Sequence, residues 1–155
     1  MVRHARHIKK VVGMDALSME ELRLCQRYYS VGSKPAPASR VAQILIHKAH
    51  PTTIPEQVEI RPLSGRTQTV GFVLDEEARE LLDGLTRAYA PRIVKGAGRA
   101  IGDRRFRFTA AALLRYLITN KAREIEARLK SKAEVEEQGT LLDPESSDTD
   151  RITAA

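Results

Sequence analysis

Hydrophobic residues change their spacing between residues 67 and 90. The first part alternates apolar with polar or small side chains, as a β-strand does, at Val70, Phe72 and Leu74. From there the apolar residues fall on one face of a helix: Ala78, Leu81, Leu82, Leu85 and Tyr89. Asp75 is a good N-cap residue, and Pro91 cannot continue the helix. The pattern therefore predicts a short strand that runs directly into a capped amphipathic helix.

Two short helices are predicted before this strand. Ser18 and Glu21 have the spacing of a capping box, at the start of a helix that extends to about Tyr29. A second helix begins at Ser39 or in the preceding turn and extends to about Ala49. We interpret the pair as a helical hairpin that packs on the main domain or on a partner subunit. A helix-turn-helix is the less favoured alternative, since the pattern has no specific residue signature.

The longest helical pattern follows the central strand and helix. Thr109 is a suitable N-cap, and an apolar stripe without glycine or proline continues from there to about Lys132. Beyond it, residues 134–155 carry a net charge of −6 and are mostly polar. We expect this acidic tail to be disordered, because it has no apolar face to bury.

Two connecting segments have distinct compositions. Residues 51–65 contain three prolines and a brief alternation at Val58 and Ile60, which predicts an extended linker with an optional edge strand. Residues 91–108 are glycine-rich and basic. The string GAGRAIG has the glycine spacing of a dinucleotide loop, but it follows a helix rather than a strand, so cofactor binding is not expected. Its glycines suit a basic loop that bends close to a phosphate backbone, or they merely keep the loop flexible.

The fold class predicted from these elements is mainly α with a short β-ribbon, in which a dimeric ribbon-helix-helix-like core is preceded by a helical hairpin. The expected organisation along the chain is a basic N-terminal arm (1–16), the helical hairpin (17–50), the extended linker (51–65), the DNA-binding core (66–132) and an acidic disordered tail (133–155).

Charge indicates a polyanionic partner. The chain has 155 residues and a net charge of +6. Four basic residues among the first ten contribute +4 and the acidic tail contributes −6, which leaves +8 on residues 11–133. A folded segment this basic is typical of nucleic-acid-binding proteins, although a solvated surface is the alternative.

Candidate catalytic and metal-binding chemistry is sparse. The four histidines form two His-x-x-His pairs, His4 with His7 and His47 with His50, and neither has an acid at ligand spacing. Cys25 shares an apolar helix face and is expected to be a core residue rather than a nucleophile. A single cysteine allows no internal disulfide, and no apolar run reaches the ~20 residues of a membrane helix. We therefore expect no enzyme, no cofactor, no metal, no membrane contact, and a cytoplasmic, nucleoid-associated protein.

The segments TQTVGFVLDEEARELLDGL and FTAAALLRYLI resemble the ribbon-helix-helix superfamily of Arc/MetJ-type DNA-binding proteins. In that family two chains pair their strands antiparallel, and the ribbon enters the major groove of DNA. The resemblance implies a homodimer or higher oligomer on double-stranded DNA. It places five residues in the dimer core: Val70, Phe72, Leu74, Leu113 and Leu117. The connection 91–108 is much longer than is usual in the family.

The resemblance also implies which residues contact DNA. The outward face of the ribbon and its flanks would contact the bases, the arginines of the long connection would contact phosphates, and the start of the last helix would offer backbone amides to a phosphate. The predicted DNA-binding residues are Arg66, Thr67, Gln68, Thr69, Gly71, Val73, Arg99, Arg104, Arg105, Arg107 and Thr109. If the alternating segment RFRF pairs with residues 67–74 instead, the fold is a small α+β unit.

Three functions agree with these expectations. The first is a sequence-specific DNA-binding protein that acts as a repressor, a plasmid partition (centromere-binding) factor or a relaxosome accessory protein. The second is a non-enzymatic adaptor with a basic docking surface, in which the acidic tail offers a site for a protein partner. The third, a non-specific RNA-binding protein, is disfavoured by the scarcity of aromatic residues, at 5%.

Overall fold

The structure is a computed structural model that describes the backbone of residues 7–94 and 108–154, with side chains as far as Glu137 except Pro51. Within these residues it is mainly helical with a small antiparallel sheet of two strands. The elements in chain order are β1 (Ile8–Met14), α1 (Ala16–Tyr28), α2 (Ala38–Lys48), a 3₁₀ turn (Pro51–Thr53), β2 (Gln68–Leu74), α3 (Glu76–Tyr89), a second 3₁₀ turn (Ala90–Arg92) and α4 (Ala110–Ala154).

The two strands of the sheet belong to the same chain. β1 pairs antiparallel with β2 in a register that runs from Ile8 opposite Leu74 to Met14 opposite Gln68. We predicted that β2 pairs with its copy in a second chain, and this prediction is wrong for the structure described here. The prediction that residues 1–16 form a basic arm is corrected as well, because β1 lies within them.

Each strand continues directly into a helix through an aspartate cap. Asp15 accepts a hydrogen bond from the Ser18 N–H at 2.8 Å, and Asp75 accepts one from the Ala78 N–H at 2.7 Å. These side chains satisfy N–H groups that have no partner within the helix. Ser18, which we predicted to be the cap of α1, is instead three residues inside it. The cap predicted at Asp75 is confirmed.

The chain consists of two strand-helix-helix halves with matching buried positions. An offset of 60 residues superposes Asp15 on Asp75 and β1-α1 on β2-α3 in sequence. The buried pairs at this offset are Val12 and Phe72, Met14 and Leu74, Leu22 and Leu82, and Cys25 and Leu85. α2 matches α4 at an offset of 72, where Val41, Ala42 and Ile46 correspond to the equally buried Leu113, Leu114 and Ile118.

The strand register obeys the same relation. Shifting each residue of the Ile8–Leu74 pair to its equivalent in the other half gives Gln68 and Met14, which are themselves paired. The ribbon is therefore symmetric about the central pair, Val11 and Gly71. One chain thus has the approximate two-fold arrangement that we had expected from two copies.

The inner face of the ribbon and the helices form the core. Of the predicted dimer-core residues, Phe72, Leu74 and Leu113 are buried within the single chain, whereas Val70 and Leu117 are half-buried. Burying a side chain of this size contributes about 1.5–3 kcal/mol. β1 supplies Val12 and Met14 to the same core, so the apolar face of β2 is covered without a second copy.

The connection between the halves is fastened to the core. Val58 and Ile60 are buried. The Val58 N–H donates to the carbonyl of Arg92 at 2.7 Å, and the Val94 N–H donates to the carbonyl of Val58 at 3.1 Å. This isolated parallel bridge replaces the edge strand that we considered for residues 57–61. The hairpin, connection and ribbon all belong to a compact unit that ends at Ala122.

Helix α4 is longer than predicted. Thr109 caps its start, as expected, with Oγ1 accepting from the Ala112 N–H at 3.3 Å. We predicted that the helix ends near Lys132 and that a disordered tail follows, but the helical backbone extends to Ala154. Residues 130–137 are rich in Lys, Ala and Glu, which favour helix and account for the first part of this extension. The sequence beyond Gln138, with Gly139 and Pro144, gives no physical reason for helix there. Residues from Arg123 onward form a second unit.

In the part of the chain that the structure describes, no helix combines the length and the apolar character needed to cross a membrane.

Candidate nucleic-acid interface

The outward face of the ribbon is exposed along both strands. Alternation in a strand sends every second side chain to the same face, and residues paired across an antiparallel ribbon share a face. The six outward residues are Lys9, Val11 and Gly13 of β1 and Thr69, Gly71 and Val73 of β2. Among the large apolar side chains, Val11 is 53% exposed and Val73 is 42% exposed. The ribbon therefore presents a narrow surface with a lysine, a threonine and methyl groups.

Gly71 makes room for the side chain of Lys9. A Cβ atom at residue 71 would overlap Cε of Lys9 and lie 3.4 Å from its Nζ. The stem of Lys9 thus crosses the ribbon over the glycine, and its ammonium group lies near the centre of the outward face. Glycine is a poor strand residue because it packs no side chain, and here the end of the Lys9 side chain occupies the space that a Cβ would take.

Helix α2 begins at one edge of the ribbon. The Val73 N–H donates to Oγ of Ser39 at 2.8 Å, and Nε2 of Gln43 donates to the carbonyl of Val73 at 3.5 Å. Both side chains lie in the first half of α2 and hold it against the strand. Pro37 precedes the helix and provides no side-chain cap.

Helix α4 contacts the other edge in the equivalent way. Nη1 of Arg115 donates to the carbonyl of Gly13 at 2.9 Å. Arg115 corresponds to Gln43 at the offset of 72, and Gly13 corresponds to Val73 at the offset of 60. Two unlike side chains, each in the second turn of its helix, therefore make the same contact on opposite edges of the ribbon.

The two helix starts are positive for different reasons. Unpaired N–H groups and the helix dipole give any helix N-terminus a partial positive charge. At α2, the exposed Arg40 adds a full charge in the first turn. Near α4, Arg115 is half-buried, and burial together with the neighbouring Arg61 lowers its pKa from the usual value for arginine. A guanidinium remains charged at neutral pH regardless, so both edges of the ribbon carry a cation.

The predicted DNA-binding residues fall into four groups. Thr69, Gly71 and Val73 lie on the outward face, as predicted. Arg66, Thr67 and Gln68 are exposed at the start of β2, but Gln68 pairs with Met14 and belongs to the inner-facing set. The remaining arginines of the prediction lie outside the described residues: Arg99, Arg104, Arg105 and Arg107. Thr109 is the N-cap of α4.

Sequence reasoning missed the half of the surface that β1 provides. Lys9, Val11 and Gly13 were assigned to a frayed arm, and Arg115 was not considered. The signal was present as a repeated spacing, in which a strand precedes an aspartate and then a leucine seven residues later, at Asp15 and Leu22 and at Asp75 and Leu82. An internal-repeat comparison would have found it.

The other candidate residues do not form a site. Within residues 7–94 and 108–137, no group of three or more His, Cys, Asp or Glu side chains is placed to hold a metal ion. Nδ1 of His50 lies 2.8 Å from Oγ1 of Thr52, within its own turn. His47 is exposed, and His4 lies outside the described residues. Burial raises the pKa of the Cys25 thiol to about 11, so it is a weak nucleophile at neutral pH.

Comparisons with known proteins found no match to a family model, to a curated protein or to a solved structure.

Proposed function

We propose that this chain is a ribbon-helix-helix-type DNA-binding protein that forms its ribbon within one chain and inserts it in the major groove. The observation that supports this proposal is the exposed ribbon face, which has the start of α2 with Arg40 at one edge and Arg115 of α4 at the other. Repression, partition and transfer-origin processing all depend on such a contact, and the proposal covers this shared step.

The dimensions of the ribbon suit the major groove. That groove is about 12 Å wide and admits a two-stranded ribbon, whose strands lie about 4.8 Å apart. The outward side chains are small apart from Lys9, so the backbone can approach the base edges closely. The terminal Gly13 leaves the least bulk toward the groove floor, because the stem of Lys9 occupies the space over the central Gly71.

The outward side chains match groups that base pairs display. The ammonium of Lys9 can donate to O6 and N7 of guanine, and the hydroxyl of Thr69 can donate to or accept from a base edge. Val11 and Val73 offer methyl groups to the C5-methyl of thymine. Exposed valines in the middle of a polar surface are otherwise unfavourable, and contact with thymine would remove them from water.

The flanks of the ribbon supply phosphate contacts. The N-terminal turn of α2 lies at one edge and Arg115 of α4 contacts the other, where the two DNA backbones would pass beside the groove. Helix N-termini bind phosphate through N–H groups and dipole. Arg40 and Arg66 are exposed and add charge contacts, which are independent of sequence and weaken as salt increases.

A direct test uses a pair of valines. Val11 lies on the outward ribbon face, whereas Val135 is 64% exposed on α4 in the second unit. Val11→Glu and Val135→Glu change the net charge equally, and neither disturbs a buried position. After a bound duplex has been selected from a random pool with the full chain, its affinity for each variant should be measured at several salt concentrations.

Val11→Glu should weaken binding at least tenfold, because a carboxylate would face the base edges and phosphates of the groove, while Val135→Glu should have a small effect. Equal weakening by both variants would show that binding follows overall charge and not the ribbon face, which would contradict the proposal. A random pool in which no duplex is enriched would rule out the proposed function.

A further inference from the structure

The two strands of the ribbon present different side chains at equivalent positions. At the offset of 60 residues, Lys9 corresponds to Thr69, Val11 to Gly71, and Gly13 to Val73. A ribbon made from two copies of one strand would carry the same residue at both equivalent positions. This ribbon has a symmetric backbone register and an asymmetric chemical surface.

The asymmetry separates the two ends of the ribbon. Lys9 lies opposite Val73 at one end, and Gly13 lies opposite Thr69 at the other. The first end therefore offers the stem of a lysine beside a branched apolar side chain, whereas the second offers a hydroxyl beside a bare backbone. The stem of Lys9 also extends across Gly71, so its ammonium group brings positive charge to the centre of the face.

The starts of the two flanking helices also differ from each other. α2 begins without a side-chain cap and carries the exposed Arg40. α4 begins with the Thr109 cap, whose hydroxyl already accepts from an N–H of the first turn. The α2 start is adjacent to Val73, and so to the Lys9 end of the ribbon. Lys9 and Arg40 thus belong to one end of the ribbon, whereas Arg66 precedes β2 at the other end and Arg115 contacts Gly13 there.

We infer that one chain binds a non-palindromic duplex site in one orientation, with guanine beneath Lys9 and the two ends of the ribbon contacting unlike base pairs. This inference rests on the proposed DNA-binding function and specifies its substrate. A homodimeric ribbon matches a palindrome because its two halves are identical, and this chain lacks that identity.

The test begins with the duplex selected from a random pool by the full chain. Two palindromes are then built by duplicating either half of that duplex. Affinities for the three duplexes and the number of chains bound per duplex are measured, the latter by sedimentation. The selected duplex should bind one chain, and each palindrome should bind about tenfold or more weakly, since the interaction at one end is lost.

A symmetrised variant provides the sharpest comparison. Lys9→Thr, Val11→Gly and Gly13→Val together give both strands the outward sequence Thr, Gly, Val. Gly13 has open space around its Cβ direction, so valine fits there. This variant should select a palindrome from the same random pool. Circular dichroism shows whether the triple variant is folded. If it is not, the single variant Lys9→Thr provides the test, because it changes one exposed residue and should lose the guanine preference at one end of the site.

The outcomes separate the two proposals. A wild-type chain that selects a palindrome, or binds its site as two chains in two-fold symmetry, would overturn the inference and leave the DNA-binding function intact. A Lys9→Thr variant with an unchanged preference at every position would also overturn it. Enrichment of no duplex would overturn the proposed function and the inference together.

Discussion

The β1-α1-α2 half and the β2-α3-α4 half have the same order of elements, but different contacts stabilise them. In the first half, Glu21 on α1 is buried, pairs with Arg61 and accepts a hydrogen bond from Thr119 at 3.1 Å. The equivalent of Glu21 in the second half is Leu81, which is 40% exposed. A polar network covers one side of the molecule, and the matching position on the other side is open.

The path of the connection explains this difference. The chain between α2 and β2 passes over α1, where Arg61 also donates to Oγ of Ser18 at 3.2 Å and the Ser64 N–H donates to Asp15 at 3.1 Å. No such segment is described over α3. The shared fold therefore depends on the strand alternation, the aspartate caps and the apolar helix faces. Polar networks are added where a connection packs against a helix.

The largest difference is expected between equivalent positions in the two strands. Phe72→Ala should cost about 3–5 kcal/mol in the free energy of unfolding, because it removes a fully buried ring and leaves a cavity. Val12→Ala, at the equivalent position of β1, should cost less, since fewer buried atoms are lost. Urea denaturation of both variants measures this. Equal costs would show that the two sides of the core are not packed as described.

The next effect concerns the network that occurs in one half only. Arg61→Met should destabilise the chain by about 2–3 kcal/mol, because it leaves the carboxylate of Glu21 buried without its cation. The second half suggests a rescue, since Leu81 occupies the equivalent of position 21. The double variant Glu21→Leu with Arg61→Met should recover most of the loss in thermal denaturation. A double variant less stable than Arg61→Met would contradict this account.

The caps provide a smaller contrast. Asp75→Ala should cost about 1 kcal/mol, the usual value for an N-cap. Asp15→Ala should cost about 2–3 kcal/mol, because it also leaves the N–H of Ser64 without its partner in a part-buried site. Guanidinium denaturation of the two variants makes the comparison. Asp15→Asn keeps an acceptor oxygen and is expected to lie between wild type and Asp15→Ala.

The protonation of Asp15 adds a dependence on pH to that contrast. Burial alone would raise the pKa of Asp15, but hydrogen bonds from Ser18 and Ser64 and the charge of Arg61 lower it below its ordinary value of 3.8. Because the pKa of Asp15 is lower in the folded chain, its carboxylate stabilises the fold at pH values above 3.8. This contribution is lost as pH decreases through the folded pKa. The stability gap between wild type and Asp15→Asn should therefore narrow as the solution is acidified below about pH 4.

The last contrast distinguishes Cys25 from its equivalent, Leu85. Burial raises the pKa of the Cys25 thiol from 9.0 to about 11. As pH increases, the thiol therefore loses its proton in the unfolded chain before it does so in the folded chain. The contribution of the thiol to stability is complete below pH 9 and is lost as pH increases toward about 11. The stability of wild type relative to Cys25→Ala should decrease over that range. A difference that is independent of pH would show that the thiol is accessible to water.

Much of the second half was predictable from sequence because its signals are local. Alternation at Phe72 and Leu74, the Asp75 cap and the stripe that follows Thr109 are all contained within a few turns of chain. The strand β1 was not predicted, because Lys9, Lys10 and Gly13 give it a polar, flexible composition and its partner lies about 60 residues away. Its apolar residues, Val12 and Met14, are recognisable as core only beside β2.

The candidate interface was predictable to the same extent. Thr69, Gly71 and Val73 followed from alternation alone, whereas Lys9 required knowledge of the pairing register. The contact of Arg115 with Gly13 joins residues separated by 102 positions, and no local pattern indicates it. The burial of Glu21 was likewise unforeseen, since a glutamate in a helix is ordinarily solvated and only Arg61 and Thr119 make its burial favourable.

Pairing β1 with β2 inside one chain makes ribbon formation insensitive to dilution. A ribbon assembled from separate chains dissociates when the protein becomes scarce, and its melting temperature decreases with concentration. Here the two strands remain covalently joined through residues 15–67, so folding is a first-order process at any abundance. The melting temperature should be constant over a thousandfold change in protein concentration. If the chain binds DNA as proposed, occupancy of its site would increase in direct proportion to the first few molecules in the cell, without a threshold for assembly.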